Sequence, residues 1–179
     1  EQNDEEIIQK NLCLDNVVNI SGNLWSLKTL KILEELSKTK KNLACSILNS
    51  ATPHKNTHGA IKFCERKNLE YKKIASSNYV HFLKQLSENK YFVFLPKTPE
   101  TLSRILVEAR MLGVSIYAND LIGACKEPWF KLKGQELIDF MKEKRTEIFS
   151  SVKKAFTSDR YEEKEISIIT TYHDGEDFI

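Results

Sequence analysis

Apolar residues recur along this chain in two alternating rhythms. Leu27, Leu30, Leu33 and Leu36, with Ile32, fall at steps of three and four, which predicts a helix ending before Asn42. From Leu43 the alternation becomes regular. LACSIL (43–48) reads as a buried strand, the polar stretch NSATPHKNTHG as a loop, and about 60–67 as a helix. YKKI (71–74) is the next strand, 79–88 the next helix, and YFVFLP (91–96) the strand after it. A helix over 99–112, a strand VSIYAN (114–119) and a long amphipathic helix over 134–156 complete the pattern. That last helix carries Leu137, Ile138, Met141, Ile148, Phe149 and Val152 on one face. Strands that alternate with helices at this spacing predict βαβ units and a parallel sheet with helices against its faces.

The flanks break this rhythm. VVNI (17–20) is a short β-prone run ahead of the first helix. Beyond about Thr157 the periodicity stops, and SDRYEEKE has the short, charged character of a linker. EISIITTYHDGEDFI then shows a buried-strand pattern, Ile166 to Thr170, followed by the turn pair Asp174-Gly175. The sequence begins EQNDEEIIQK, with no Met and no basic-then-apolar signal pattern, and reads as part of a longer polypeptide.

Composition narrows the function classes. The chain has 179 residues, 41% hydrophobic and 29% charged, enough to bury a core and too apolar for intrinsic disorder. The formal net charge of +2 does not supply the electrostatic attraction that drives nucleic-acid binding, so no nucleic acid is expected as a partner. Cys13, Cys45, Cys64 and Cys125 are far apart, with no Cys-x-x-Cys pair and no His at metal-ligand spacing. They read as reduced, mostly buried thiols of a cytoplasmic protein. No apolar run approaches the roughly 20 residues that cross a bilayer, so no transmembrane segment is expected, which leaves only peripheral membrane association open.

Two junctions carry chemistry. In TPETLSRILVEA, Thr98 suits a helix N-cap, Pro99 the first helical position, and Glu100 the first turn, where the macrodipole favours a carboxylate. This helix is expected to start at the carboxyl end of the strand FVFLP, where open α/β sheets bind ligands. Its start would turn the backbone N–H groups of Thr101, Leu102, Ser103 and Arg104 toward an anion. The second junction, NDLIGACKEPWF, places Gly123 and Glu127 in the loop after the next strand, facing the same crevice.

The spacing of Glu100 and Glu108 inside PETLSRILVEARMLG resembles the two-glutamate signature of the family 4 retaining glycosyltransferases of the GT-B fold. The strand ending at Pro96, the pair Glu108-Ala109, the Gly113-Val114 junction and the loop from Gly123 to Glu127 are similar to the same family's layout. The resemblance spans roughly 43–156 and implies a Rossmann-like parallel sheet, the donor-binding C-terminal half of such enzymes. It implies that Glu100 meets the donor sugar near its anomeric centre and that Glu108 holds the ribose hydroxyls. Thr101 to Arg104 would meet the diphosphate, with Lys55 helping to neutralise it, and Gly123 and Glu127 would complete the donor site. No tightly bound cofactor is implied; a UDP- or GDP-sugar is the donor substrate, and a saccharide or lipid-linked molecule the acceptor. Fixed N–H dipoles and cations would stabilise the leaving diphosphate. TLSR stands where the family carries a glycine-rich stretch, with the side chains of Ser103 and Arg104 in place of open backbone.

EISIITTYHDGEDFI is similar to the opening strand and loop of family 2 glycosyltransferases of the GT-A fold, with Thr and His173 in place of the usual Pro and Asn. It stops before any metal-binding Asp pair, so no metal site is assigned. The implied organisation is a hinge or tail of a preceding domain over 1–42, a nucleotide-sugar-binding domain over 43–157, a linker over 158–165, and the start of a second glycosyltransferase domain over 166–179. The parent would then be a multidomain enzyme of surface polysaccharide synthesis, this portion being inactive on its own.

Plainer readings stand beside these. Two glutamates eight positions apart on a helix are separated by about 80° and about 12 Å, so they do not share one spot. Lys55 also suits a solvated surface lysine, and Glu127 a cap or a partner of Lys126 or Lys131. Trp25 and Trp129 read as packing residues, and none of the four histidines is paired with a spaced carboxylate or cysteine. The terminal strand would serve equally as an added edge of this sheet. The alternative function is a non-catalytic α/β scaffold or interaction module within a multidomain glycosyltransferase.

Overall fold

The computed structural model describes residues 20–157. The Val17–Ile20 run apart from its last residue, the 158–165 linker, the 166–170 strand, Cys13 and His173 lie outside them. In chain order the elements are α1 (Leu27–Ser37), β1 (Asn42–Leu48), α2 (Thr57–Arg66), β2 (Tyr71–Ile74), α3 (Tyr79–Ser87), β3 (Asn89–Phe94), α4 (Arg104–Met111), β4 (Ser115–Ala118) and α5 (Gln135–Thr157). A short 3-10 turn, Pro53–Lys55, lies between β1 and α2, and two more, Gly123–Lys126 and Pro128–Lys131, lie between β4 and α5.

The strands form one all-parallel sheet in the order β2-β1-β3-β4. The expected Rossmann-like α/β architecture is therefore present. Successive side chains along each strand point to opposite faces of the sheet, and the two faces are covered unequally. Cys45, Ile47 and Val93 meet Ala60 and Cys64 of α2 on one side. On the other, Phe92 and Phe94 join the larger core built by α1, α3, α4 and α5. The chain passes from β1 to β2 on one side and to β3 on the other, so the topological switch point lies between β1 and β3. At such a point the loops at the carboxyl ends diverge and leave a crevice.

Three expectations need correction. Helix α4 starts at Arg104, not at 99. Glu100 is instead extended: its N–H donates to the Leu121 carbonyl at 2.8 Å and its carbonyl accepts from Gly123 N at 2.8 Å, a parallel bridge between Glu100 and Ile122. A backbone committed to that bridge has no hydrogen bonds left for a helical turn, so Thr98 caps nothing and Glu100 is in no first turn. Residues 20–42 are also more than a tail: Trp25, Leu30 and Leu33 are buried in the main core against α3, α4 and α5, so the packed unit begins well before 43. The apolar face of α5 is buried only in part. Leu137, Ile138, Met141 and Ile148 are inside, whereas Phe149 is 51% exposed and Val152 also reaches solvent.

Candidate functional site

The loops after β1 and β3 meet across the switch point. Lys55, at the end of the 3-10 turn, donates from Nζ to Glu100 Oε1 at 2.8 Å, and both side chains are only about 15% exposed (16% and 15%). Lys55 Nζ also lies 5.5 Å from the centre of the Phe94 ring, a weak cation–π contact at the end of β3. The two residues are 45 positions apart in sequence, and the fold brings them into one ion pair.

Local chemistry positions each partner. Asn56 adopts a left-handed conformation, φ 54°, and caps α2 by accepting from Gly59 N at 3.2 Å. Its amide donates to the Leu95 carbonyl at 2.7 Å, tying the Lys55 turn to the loop that carries Glu100. Lys97 N adds a bond to the His54 carbonyl at 2.8 Å. Glycine is needed at 59, because a Cβ there would lie within 2.4–2.7 Å of the capping Asn56 side chain. On the other side, Gly123 lets the 119–127 loop lie against the Glu100 loop: a Cβ would come within 2.2 Å of the Thr101 carbonyl oxygen. The role of Gly123 is thus this close approach of backbones. Beside the Lys55 turn lies an open cleft of about 330 Å³, bordered by Ser50, Thr57, His58, Ile61 and Lys97.

Glu108 sits apart from that ion pair in its bonding. On the second turn of α4, its side chain is 4% exposed, and Oε1 accepts from three donors: Trp25 Nε1 at 2.9 Å, Tyr79 Oη at 2.6 Å and Arg104 Nε at 2.9 Å. Arg104 also stacks over the Trp25 ring at 5.2 Å. Burial, and after it the Glu108 carboxylate, pushes the Tyr79 phenol well above its usual range, so Tyr79 stays a donor. The hub joins the segment before α1, the start of α3 and the start of α4.

Of the other expected residues, Thr101 is exposed and Leu102 packs against the core, both in the loop ahead of α4. Ser103 caps α4 in position only, with φ 55° and no side-chain cap bond. Its hydroxyl is buried and finds no hydrogen-bond partner among the described residues. A non-glycine residue held at positive φ is locally strained, as at many ligand sites. Glu127 accepts from the Ser21 hydroxyl, which in turn accepts from Trp129 Nε1 at 3.1 Å, so Glu127 fastens the segment before α1.

Sequence reasoning missed Trp25 and Tyr79 as partners of Glu108, and Asn56 as the link between the loops. The Arg104–Glu108 pair at i,i+4 was a readable signal; the other donors, 83 and 29 positions from Glu108, had none. Among the described residues no group of three His, Cys, Asp or Glu side chains is placed to hold a metal ion, and no helix is long and apolar enough to cross a membrane. No family model matches the chain, and neither a curated protein nor a solved structure matches it.

Proposed function

We propose that this chain is the donor-binding half of a retaining GT-B glycosyltransferase. It takes a UDP- or GDP-sugar at the crevice between β1 and β3, for transfer to a saccharide or lipid-linked acceptor in surface polysaccharide synthesis, on the cytoplasmic side. The observation that carries this reading is the Lys55–Glu100 pair at the topological switch point of a parallel sheet. It sets a cation suited to a diphosphate beside a carboxylate suited to the sugar joined to it. The strained Ser103, with its unpartnered hydroxyl at the start of α4, and Arg104 next to it support an anion arriving at the same edge. Calorimetric titration with UDP and GDP tests the reading: binding by the wild type that is lost in Lys55→Ala supports it, and no heat from either nucleotide rejects it.

A second reading, a non-catalytic α/β scaffold, is favoured by one observation. Glu108, the carboxylate that the resemblance assigns to the ribose, is buried and already accepts from three internal donors. If it holds elements together instead of a ribose, nucleotide and inorganic pyrophosphate bind equally or not at all.

A further inference from the structure

The Lys55–Glu100 pair joins two loops that are also tied by the Asn56 amide to the Leu95 carbonyl and by Lys97 N to the His54 carbonyl. It also occupies the very groups a ligand at this crevice would need. A lysine at 2.8 Å from a carboxylate, both largely shielded from water, has its charge already answered. An incoming anion must therefore compete with Glu100, and a group that needs the Glu100 carboxylate must wait until Lys55 lets go.

We infer that the Lys55–Glu100 ion pair is a latch opened by a polyanionic ligand. A pyrophosphate group entering between the loops takes Lys55 over from Glu100. The carboxylate, no longer neutralised, turns to whatever is attached to that pyrophosphate; on the glycosyltransferase reading, on which this last step rests, that is the donor sugar. The exchange is one of ion pairs only: no covalent bond forms or breaks, and the net charge at the site changes only by that of the ligand. Coulomb attraction favours the exchange, because a pyrophosphate presents more negative charge to Lys55 than one carboxylate does. The free site is held closed with its charges balanced, and a ligand lacking the diphosphate leaves Glu100 engaged.

Titration of the full 179-residue chain with inorganic pyrophosphate tests the latch. Glu100→Gln should bind it about fivefold more tightly than wild type, the equivalent of losing a competing ion pair worth ~1 kcal/mol. Glu100→Asp keeps the charge but draws the carboxylate back by one methylene, and should also bind more tightly, in a direction that long-range charge alone does not produce. Lys55→Met should lose binding, and in that background Glu100→Gln should bring no gain. Circular dichroism on each variant checks the fold, with Lys55→Gln as a second neutral replacement. An equal gain from Glu100→Gln with and without Lys55, no gain from Glu100→Asp, or no pyrophosphate binding by wild type and Glu100→Gln would each overturn the latch. The two readings fail separately. Pyrophosphate obeying this pattern while UDP and GDP bind no better than pyrophosphate leaves the latch and removes the nucleotide-sugar donor. Nucleotide binding that needs Lys55 but is indifferent to Glu100→Gln and Glu100→Asp does the reverse.

Discussion

Glu108 shows how much one buried carboxylate can organise. Its Oε1 gathers an indole N–H, a phenol and a guanidinium from three separate parts of the chain. Removing the acceptor takes this partner from the buried Trp25 indole N–H, and a buried donor left without a partner costs its full desolvation. Glu108→Ala should therefore destabilise the fold by about 2–4 kcal/mol, the range for breaking a buried pair reduced because Arg104 is one-third exposed (33%). A urea melt followed by tryptophan fluorescence reads this directly, since Trp25 is one of the donors. The hub also has a pH signature. The Tyr79 phenol is raised in the folded protein, by burial first and the Glu108 charge second, so its contribution is complete below the ordinary phenol range near pH 10 and declines as pH rises beyond it. The wild type should lose stability above about pH 10 more steeply than Tyr79→Phe; equal slopes would remove Tyr79 from the account. At this scale the sequence was partly legible: Arg104 and Glu108 stand one helical turn apart, whereas Trp25 is brought to them only by the packing of α1.

At the scale of elements, the instructive case is the start of α4. Thr98, Pro99 and Glu100 satisfy every local rule for a helix N-terminus, yet the helix waits until Arg104. What overrides the local preference is the parallel bridge from Glu100 to the Leu121–Gly123 backbone, two hydrogen bonds that only the folded sheet makes available. Strands and helices with their own clear periodicity were legible, because each can bury its apolar face in only one way. This loop was not, because its partner is another loop with no periodicity of its own. The bridge depends on Gly123, whose missing Cβ leaves room for the Thr101 carbonyl. Gly123→Ala should part the two loops and cost about 1–3 kcal/mol. It should also move Glu100 relative to Lys55, so pyrophosphate binding should change in the same variant. A protein of unaltered stability and affinity would show that the loops meet without the bridge.

Residues 20–157 form one packed unit in which the described residues before β1 are structural. Trp25, Leu30 and Leu33 are almost fully buried in the core that also holds Phe92, Leu106 and Leu137. The segment is fastened further by Arg145, which donates to the Trp25 carbonyl at 2.9 Å, and by the Ser21–Glu127 bond. The repeating βαβ pattern alone suggested a unit starting at 43, since α1 precedes the first strand and belongs to no βα repeat. Energetics decides against that boundary. Truncating one buried leucine costs about 2–5 kcal/mol, and a buried tryptophan about 3–5 kcal/mol. Losing all three side chains together would cost an amount comparable to the roughly 5–15 kcal/mol that holds a domain folded. The loss would also uncover the apolar faces of α3, α4 and α5, and leave the Glu108 carboxylate short of its indole donor. A chain that begins at 43 should accordingly lack a cooperative thermal transition by circular dichroism and bind a hydrophobic dye, whereas one that begins at 20 should melt as a single unit. If the shorter chain melts cooperatively and at a similar temperature, α1 is a passenger, and the Trp25–Glu108 bond contributes little to holding the crevice in shape.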